Sequence, residues 1–236
     1  MILIGTVHTD LDGPKRLERI LEKYKPRVIT IETPNNISLN DFIYYEKRRI
    51  NQCKDYVKNL ELSENKRKLL LEILDNGHYE ATITRDYAQL NNSEIYPVDI
   101  DESQVQELLD ESMMKFGLIS ILLGSIAGSD LDTFKMLRRR YITSMANFYN
   151  SFYNEISTTH YSNPISYNNL QAEIIEDNFR EQFMADKISQ IKPDMHIGGY
   201  ANIFHEYLFG YPVIPLHKRL GDKVKERIRL CDADKF

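Results

Sequence analysis

Two short runs near the start of the chain, Ile2–Val7 and Arg27–Ile31, are almost continuous in Ile, Leu and Val, without polar alternation. A strand tolerates that pattern when both of its faces are covered, as in a parallel sheet flanked by helices. Between the runs, Leu17, Ile20, Leu21 and Tyr24 recur at helical spacing, Pro14 suits the first turn, and Pro26 ends the segment. The first thirty residues therefore read as a strand–helix–strand unit whose crossover is right-handed. Further strands are expected at Ile95–Val98, Met195–Gly198 and Val213–Pro215. The expected fold class is α/β: a mainly parallel central sheet, helices on both faces and a helical insertion. The first strand is expected to lie between the second and third.

The rest of the chain fills in between these strands. Residues 40–90 read as helical, with a stop at Asn76-Gly77. Residues 103–157 read as helical again, and 102–157 is the expected insertion or cap within a single domain spanning 1–236. Thr158–Asn169 reads as a loop. A helix follows over 171–190, with Ile175, Phe179 and Phe183 expected to face the core, and then a short helix over 202–208. The basic segment from His217 to Leu230 reads as a docked amphipathic helix carrying Leu220, Val224 and Ile228.

Composition narrows the function. A net charge of −5 gives no global basic field, so no nucleic acid partner is expected. Arg138-Arg139-Arg140 fans around a helix and reads as a solvated face. The longest apolar stretch, residues 116–128, is too short to cross a bilayer. It reads as a buried helix, with burial between subunits of a homo-oligomer as the alternative. The first residues lack a basic stretch and a long apolar core, so no signal peptide is expected. Two cysteines far apart, Cys53 and Cys231, fit a reduced, cytoplasmic setting. P-loop, dinucleotide-binding, serine-hydrolase-elbow, H-E-x-x-H and C-x-x-C motifs do not occur.

In an open α/β sheet, ligands bind beyond the carboxyl ends of the strands. His8 follows the first strand, Glu32 ends the second and Asp99 ends the third. An imidazole and two carboxylates there can hold a divalent metal or act as an acid–base set. Each also has a structural reading, His8 as a loop residue and Glu32 and Asp99 as caps; their coincidence at strand ends favours a site.

The order of these motifs resembles the TraB/PrgY family, related to the Tiki and GumN proteins and more distantly to the ChaN and erythromycin-esterase groups. Gly5-Thr6-Val7-His8 is similar to that family's G-T-x-H, and Val28–Glu32 to its second strand with a terminal acid. Gly77-His78-Tyr79-Glu80 is similar to its G-x-E helix start, and Pro97–Asp101 to its I-D-R-D strand. Arg180–Ala185 is similar to its R-D-x-x-M-A helix, and Ile197-Gly198-Gly199 to its following strand end. The resemblance implies a hydrolase, metal-dependent and peptide-directed. His8, Glu32, Glu80, Asp99 and Arg180 would form its catalytic set, and Gly5, Thr6, Gly198, Gly199 and Tyr200 would bind substrate. Ile100 replaces the Arg of I-D-R-D, and Ala201 stands where the second G-x-x-H has its His; His196 and His205 lie nearby, off the motif position. The remaining metal set, His8, Glu32 and Asp99, suits Mn²⁺ or Mg²⁺ rather than Zn²⁺. The alternative is a non-catalytic protein that binds a peptide or small molecule. Arg180 is expected to pair with Glu32 or Asp99, because an unpaired buried guanidinium is costly.

Overall fold

The computed structural model describes residues 1–8, 10, 12–59, 62–75, 79–100, 179–204, 207–208, 211–212 and 214–236. The expected insertion at 102–157, the apolar stretch 116–128, the loop 158–169, and Gly77, His78 and His205 lie outside the described residues.

The elements, in order, are β1 (Ile2–Thr6), α1 (Gly13–Tyr24), β2 (Val28–Pro34), α2 (Leu39–Lys58), α3 (Glu64–Asp75), α4 (Tyr79–Asn91) and β3 (Glu94–Asp99). Helix α5 follows over residues 179–191, then β4 (Met195–Gly199), α6 (Tyr200–Phe204), the two-strand ribbon β5 (Tyr207–Leu208) and β6 (Tyr211–Pro212), α7 (Leu216–Leu220) and β7 (Glu226–Arg229). A 3₁₀ helix, Leu230–Lys235, follows β7.

The central sheet has five strands in the order β3-β2-β4-β1-β7, every pair parallel. Cores form on both faces. On one, α1 and α4 cover Ile4, Ile29, Ile31, Met195 and Ile197. On the other, Met184, Ala185 and Ile188 of α5 pack with Leu3, Val98, Ile203, Leu216 and Leu220. The expected α/β architecture is therefore present.

The strand order corrects one expectation. Strand β1 does not lie between β2 and β3; its neighbours are β4 and β7, and β4 separates it from β2. Hydrophobic runs report that a strand is buried on both faces, but they carry no information on which strand lies alongside. The α1 crossover skips one position, and β4 fills it from far along the chain.

The carboxyl-terminal segment corrects another. Ile214 and Pro215 are not in a strand, and the basic segment is not one helix. Helix α7 stops at Leu220 because Gly221 takes φ 53°, ψ −131°, a conformation open to glycine alone. Leu220, Val224 and Ile228 share a four-residue spacing but not a face. Leu220 and Val224 join the α5-side core, whereas Ile228 sits in the opposite core as part of strand β7.

In α5 the inward stripe is Glu181, Met184, Ala185 and Ile188, spaced by three and four. Phe179 is exposed and Phe183 only half-buried, so these two do not form the core-facing stripe. The short helix expected over 202–208 forms as α6, ending at Phe204.

Helices α1, α4 and α5 end alike. Lys25, Asn92 and Lys192 take left-handed φ of 47°, 52° and 56° just before β2, β3 and β4. Pro26 and Pro193 follow two of them and cannot extend a helix. The Asp194 carboxylate accepts from the backbone N–H groups of Arg27 and Val28, tying the entrances of β2 and β4 together. These stops fix where each strand begins, and parallel pairing then places Glu32, Asp99 and Gly199 at the carboxyl-terminal edge of the sheet.

Candidate active site

That edge carries two linked groups. The first is a pair on α4 and the β1–α1 loop. Glu80 lies in the first turn of α4, where a negative charge is favoured by the helix dipole. Its Oε1 is 2.8 Å from His8 Nδ1. The Glu80 side chain is buried, and that of His8 is 48% exposed. The Glu80 carboxylate raises the His8 pKa to about 9, partly opposed by burial; Glu32 adds to the rise and Arg180 works against it. His8 is therefore an imidazolium at neutral pH, with one face held and much of the ring reaching solvent.

The second group centres on Arg180. Its Nε donates to Asp99 Oδ1 at 2.8 Å, and one terminal nitrogen donates to Asp99 Oδ2 at 2.5 Å and to Glu32 Oε1 at 2.6 Å. This is the expected pairing, made with both carboxylates at once. Burial opposes the guanidinium charge, but the two carboxylates outweigh it and hold Arg180 charged above its ordinary range. Asn202 Nδ2 also donates to Glu32 Oε1, and the Gly199 N–H donates to Glu32 Oε2, both at 2.6 Å. The Ile100 N–H donates to Asp99 Oδ1. Asn35 holds the Asp99 backbone carbonyl through its side-chain amide.

A cleft opens between the two groups. Polar and aromatic residues, among them Thr6, His8, Glu32, Thr33, Phe42 and Glu80, line it together with Ile31, Ala81, Ile197, Gly198 and Gly199. His8, Glu32 and Glu80 thus meet around one space. Asp99 and Arg180 stand behind Glu32 and brace it. Of the five expected substrate-binding residues, Thr6, Gly198 and Gly199 line this cleft. Thr6 Oγ1 donates to the Gly198 carbonyl, which holds β1 and β4 in register there.

Gly5 and Tyr200 are placed for packing. Tyr200 is buried, stacks on Phe204 at 4.9 Å between ring centroids, and packs against Val7. A side chain at Gly5 would begin 2.7 Å from the Phe204 ring, so the missing Cβ is what admits α6 against β1. Ala201 lies in the first turn of α6.

Each of the expected metal donors is engaged within the protein. His8 Nδ1 is engaged by Glu80, Glu32 accepts three hydrogen bonds, and Asp99 is clamped by a guanidinium. Among the described residues no three His, Cys, Asp or Glu side chains form a group able to hold a metal ion.

Sequence reasoning missed Asn202 and Asn35, which complete the carboxylate network. Asn202 had a signal, since it follows the Gly198-Gly199 strand end within one helical turn. Asn35 had none, because asparagine after Thr33-Pro34 reads as a turn residue. Compared with known proteins, the chain matches no family model, no curated protein and no solved structure.

Proposed function

We propose that this chain is a hydrolase of the TraB/PrgY type that cleaves an ester or peptide bond by acid–base chemistry, with His8 as the proton donor. The observation that carries the reading is the His8–Glu80 pair on the cleft wall. A histidine held protonated at neutral pH by a buried carboxylate can deliver a proton to a departing oxygen or nitrogen. Glu80 fixes the ring and stabilises its charge. Glu32, braced by Arg180, Asn202 and the Gly199 N–H, presents a carboxylate across the cleft that can accept a proton from the attacking water. Arg180 acts through Glu32 and Asp99 and is a positioning residue.

The donor arrangement supports a reaction without a metal, and no step here passes through one. The test is hydrolysis of p-nitrophenyl acetate and of a mixed peptide library by the wild type, His8→Ala and Glu80→Gln, with and without added Mn²⁺. Activity lost in both variants and indifferent to Mn²⁺ supports the reading. Activity retained by His8→Ala, or absent from the wild type, overturns it. A second reading, ligand binding without turnover, is favoured by the hydrogen bonds that tie Glu32 and Asp99 to Arg180.

A further inference from the structure

Beneath the Arg180 network lies a buried ring nitrogen, His196 Nε2, without a partner among the described residues. His196 is fully buried in β4, level with Leu3 of β1, on the sheet face that α5 covers. Its Nδ1 lies 3.1 Å from Thr30 Oγ1, and the Thr30 hydroxyl lies 3.5 Å from the Met195 carbonyl. Assigning the hydroxyl proton to the carbonyl puts the ring proton on Nδ1, which then donates to Thr30. Nε2 is then a bare acceptor, and among the described residues nothing pairs with it. Buried polar atoms without partners are rare in folded proteins, and each one calls for an explanation.

The explanation lies two residues on. Gly198 shares the face of His196, and a Cβ placed on it would lie 2.8 Å from His196 Nε2 and 2.8 Å from Glu32 Oε2. Both atoms therefore border the space that a side chain at Gly198 would fill, near enough to each other for one water, lying farther from the Cα than that Cβ, to bridge them with two hydrogen bonds of ~2.8 Å. Glu32 Oε2 accepts from the Gly199 N–H and has a second lone pair to offer. Two acceptors facing each other need a donor between them. A molecule able to donate twice and no larger than one heavy atom is water.

We propose that His196 Nε2 and Glu32 Oε2 form a seat for a single water over the bare Cα of Gly198, and that this seat orients the water consumed in the cleft. The orienting role rests on the hydrolase reading; the seat itself does not. The water commits one proton to each acceptor and turns its lone pairs outward. Glu32 and Gly198, two of the three residues of the seat, also line the cleft. In ester hydrolysis the water oxygen bonds to the carbonyl carbon and one of its protons passes to the Glu32 carboxylate. The bond to the alkoxy oxygen breaks as His8 gives that oxygen its proton. The Glu32 proton returns to His8 through solvent. His196 touches the water and not the ester, so it is a positioning residue.

The seat is read by nitrogen-15 NMR of histidine-labelled wild-type protein. The expected result is a protonated Nδ1, an unprotonated hydrogen-bonded Nε2, and magnetisation transfer between the His196 ring protons and bound water. A protonated Nε2, or a ring with no contact to water, overturns the seat. The role is read from kinetics on p-nitrophenyl acetate. His196→Leu is expected to keep its melting temperature while kcat falls at least tenfold at unchanged KM. His196→Gln, which restores an acceptor, is expected to recover part of the loss. An unchanged kcat in His196→Leu overturns the role. A wild type inactive on every substrate sinks the hydrolase reading and with it the role, while the NMR result alone decides the seat.

Discussion

His8 and Arg180 make opposite demands on their neighbours. His8 is about half-exposed and owes its raised pKa mainly to the Glu80 carboxylate, with a smaller contribution from Glu32. Glu80→Gln removes that charge and leaves burial to act in the other direction, so the His8 pKa is expected to fall from about 9 to near or below 6.5. Proton NMR of the ring across pH 5–10 measures it, and a midpoint unmoved from 9 would show that another group holds the proton. The same shift sets a pH dependence of stability. A group with a raised folded-state pKa stabilises fully below its unfolded value and loses that contribution as pH rises through the folded one. The His8–Glu80 pair should thus strengthen the fold below pH 6.5, while Glu80 stays ionised, and cease to do so by about pH 9. A rate that needs protonated His8 should fall over the same upper limb.

Arg180 is a different case, because its fork contacts two carboxylates in fixed directions. Arg180→Met leaves Glu32 and Asp99 facing each other without a cation, and should cost about 3–5 kcal/mol. Arg180→Lys keeps the charge but loses the planar fork, and should fall between that variant and wild type. Chemical denaturation gives both values, and a Lys variant as stable as wild type would show that charge alone suffices. The pairing itself was legible in the sequence: a cation beside an inward-facing helical stripe needs an anion, and the strand-end acids were the nearest candidates. The error lay in the stripe, because Phe179 and Phe183 also fit a four-residue spacing. Only the packing of Met184, Ala185 and Ile188 on Leu3 and Val98 shows which side of α5 turns inward.

At the scale of elements, the strands buried on both faces were readable and the last one was not. Strand β7 has the sequence Glu-Arg-Ile-Arg, with a single buried apolar residue, Ile228, so neither composition nor alternation sets it apart from a basic helix. What decides is Gly221. Nothing lies within 4 Å of where its Cβ would be, so Gly221→Ala meets no steric neighbour. The variant is nevertheless expected to lose about 1–3 kcal/mol, because φ 53° with ψ −131° strains any residue that has a Cβ. Thermal unfolding of Gly221→Ala beside Asp222→Ala, an exposed neighbour in the same turn, measures the backbone contribution; equal melting temperatures would refute it.

At the scale of the whole molecule, the last turn of the chain is fastened to the start of the first helix. The Arg16 side chain is buried and forks between Asp10, in the β1–α1 loop, and Asp234, in the 3₁₀ helix after β7. Asp10 is buried with it, whereas Asp234 is 43% exposed. Asp10→Ala should cost about 3–5 kcal/mol, because a buried guanidinium loses its buried partner. Asp234→Ala should cost no more than about 1 kcal/mol, the range for a solvent-screened pair. Denaturant titration of the two variants checks the ranking. Asp10 lies two residues from His8, so the first variant should also broaden the His8 ring signals.

The sheet order has a consequence for how the molecule comes into being. Ile2 pairs with Met195 on one side and Glu226 on the other, and β2 meets β1 only through β4. As the chain leaves the ribosome, β2 and β3 can zip together early, but β1 waits for nearly two hundred residues before either of its partners exists. Closing such long loops before any pairing rewards them makes assembly slow. Throughout that interval the newborn β1, a row of unmet amides and aliphatic side chains, is open to any passing strand, including the β1 of a neighbouring polysome.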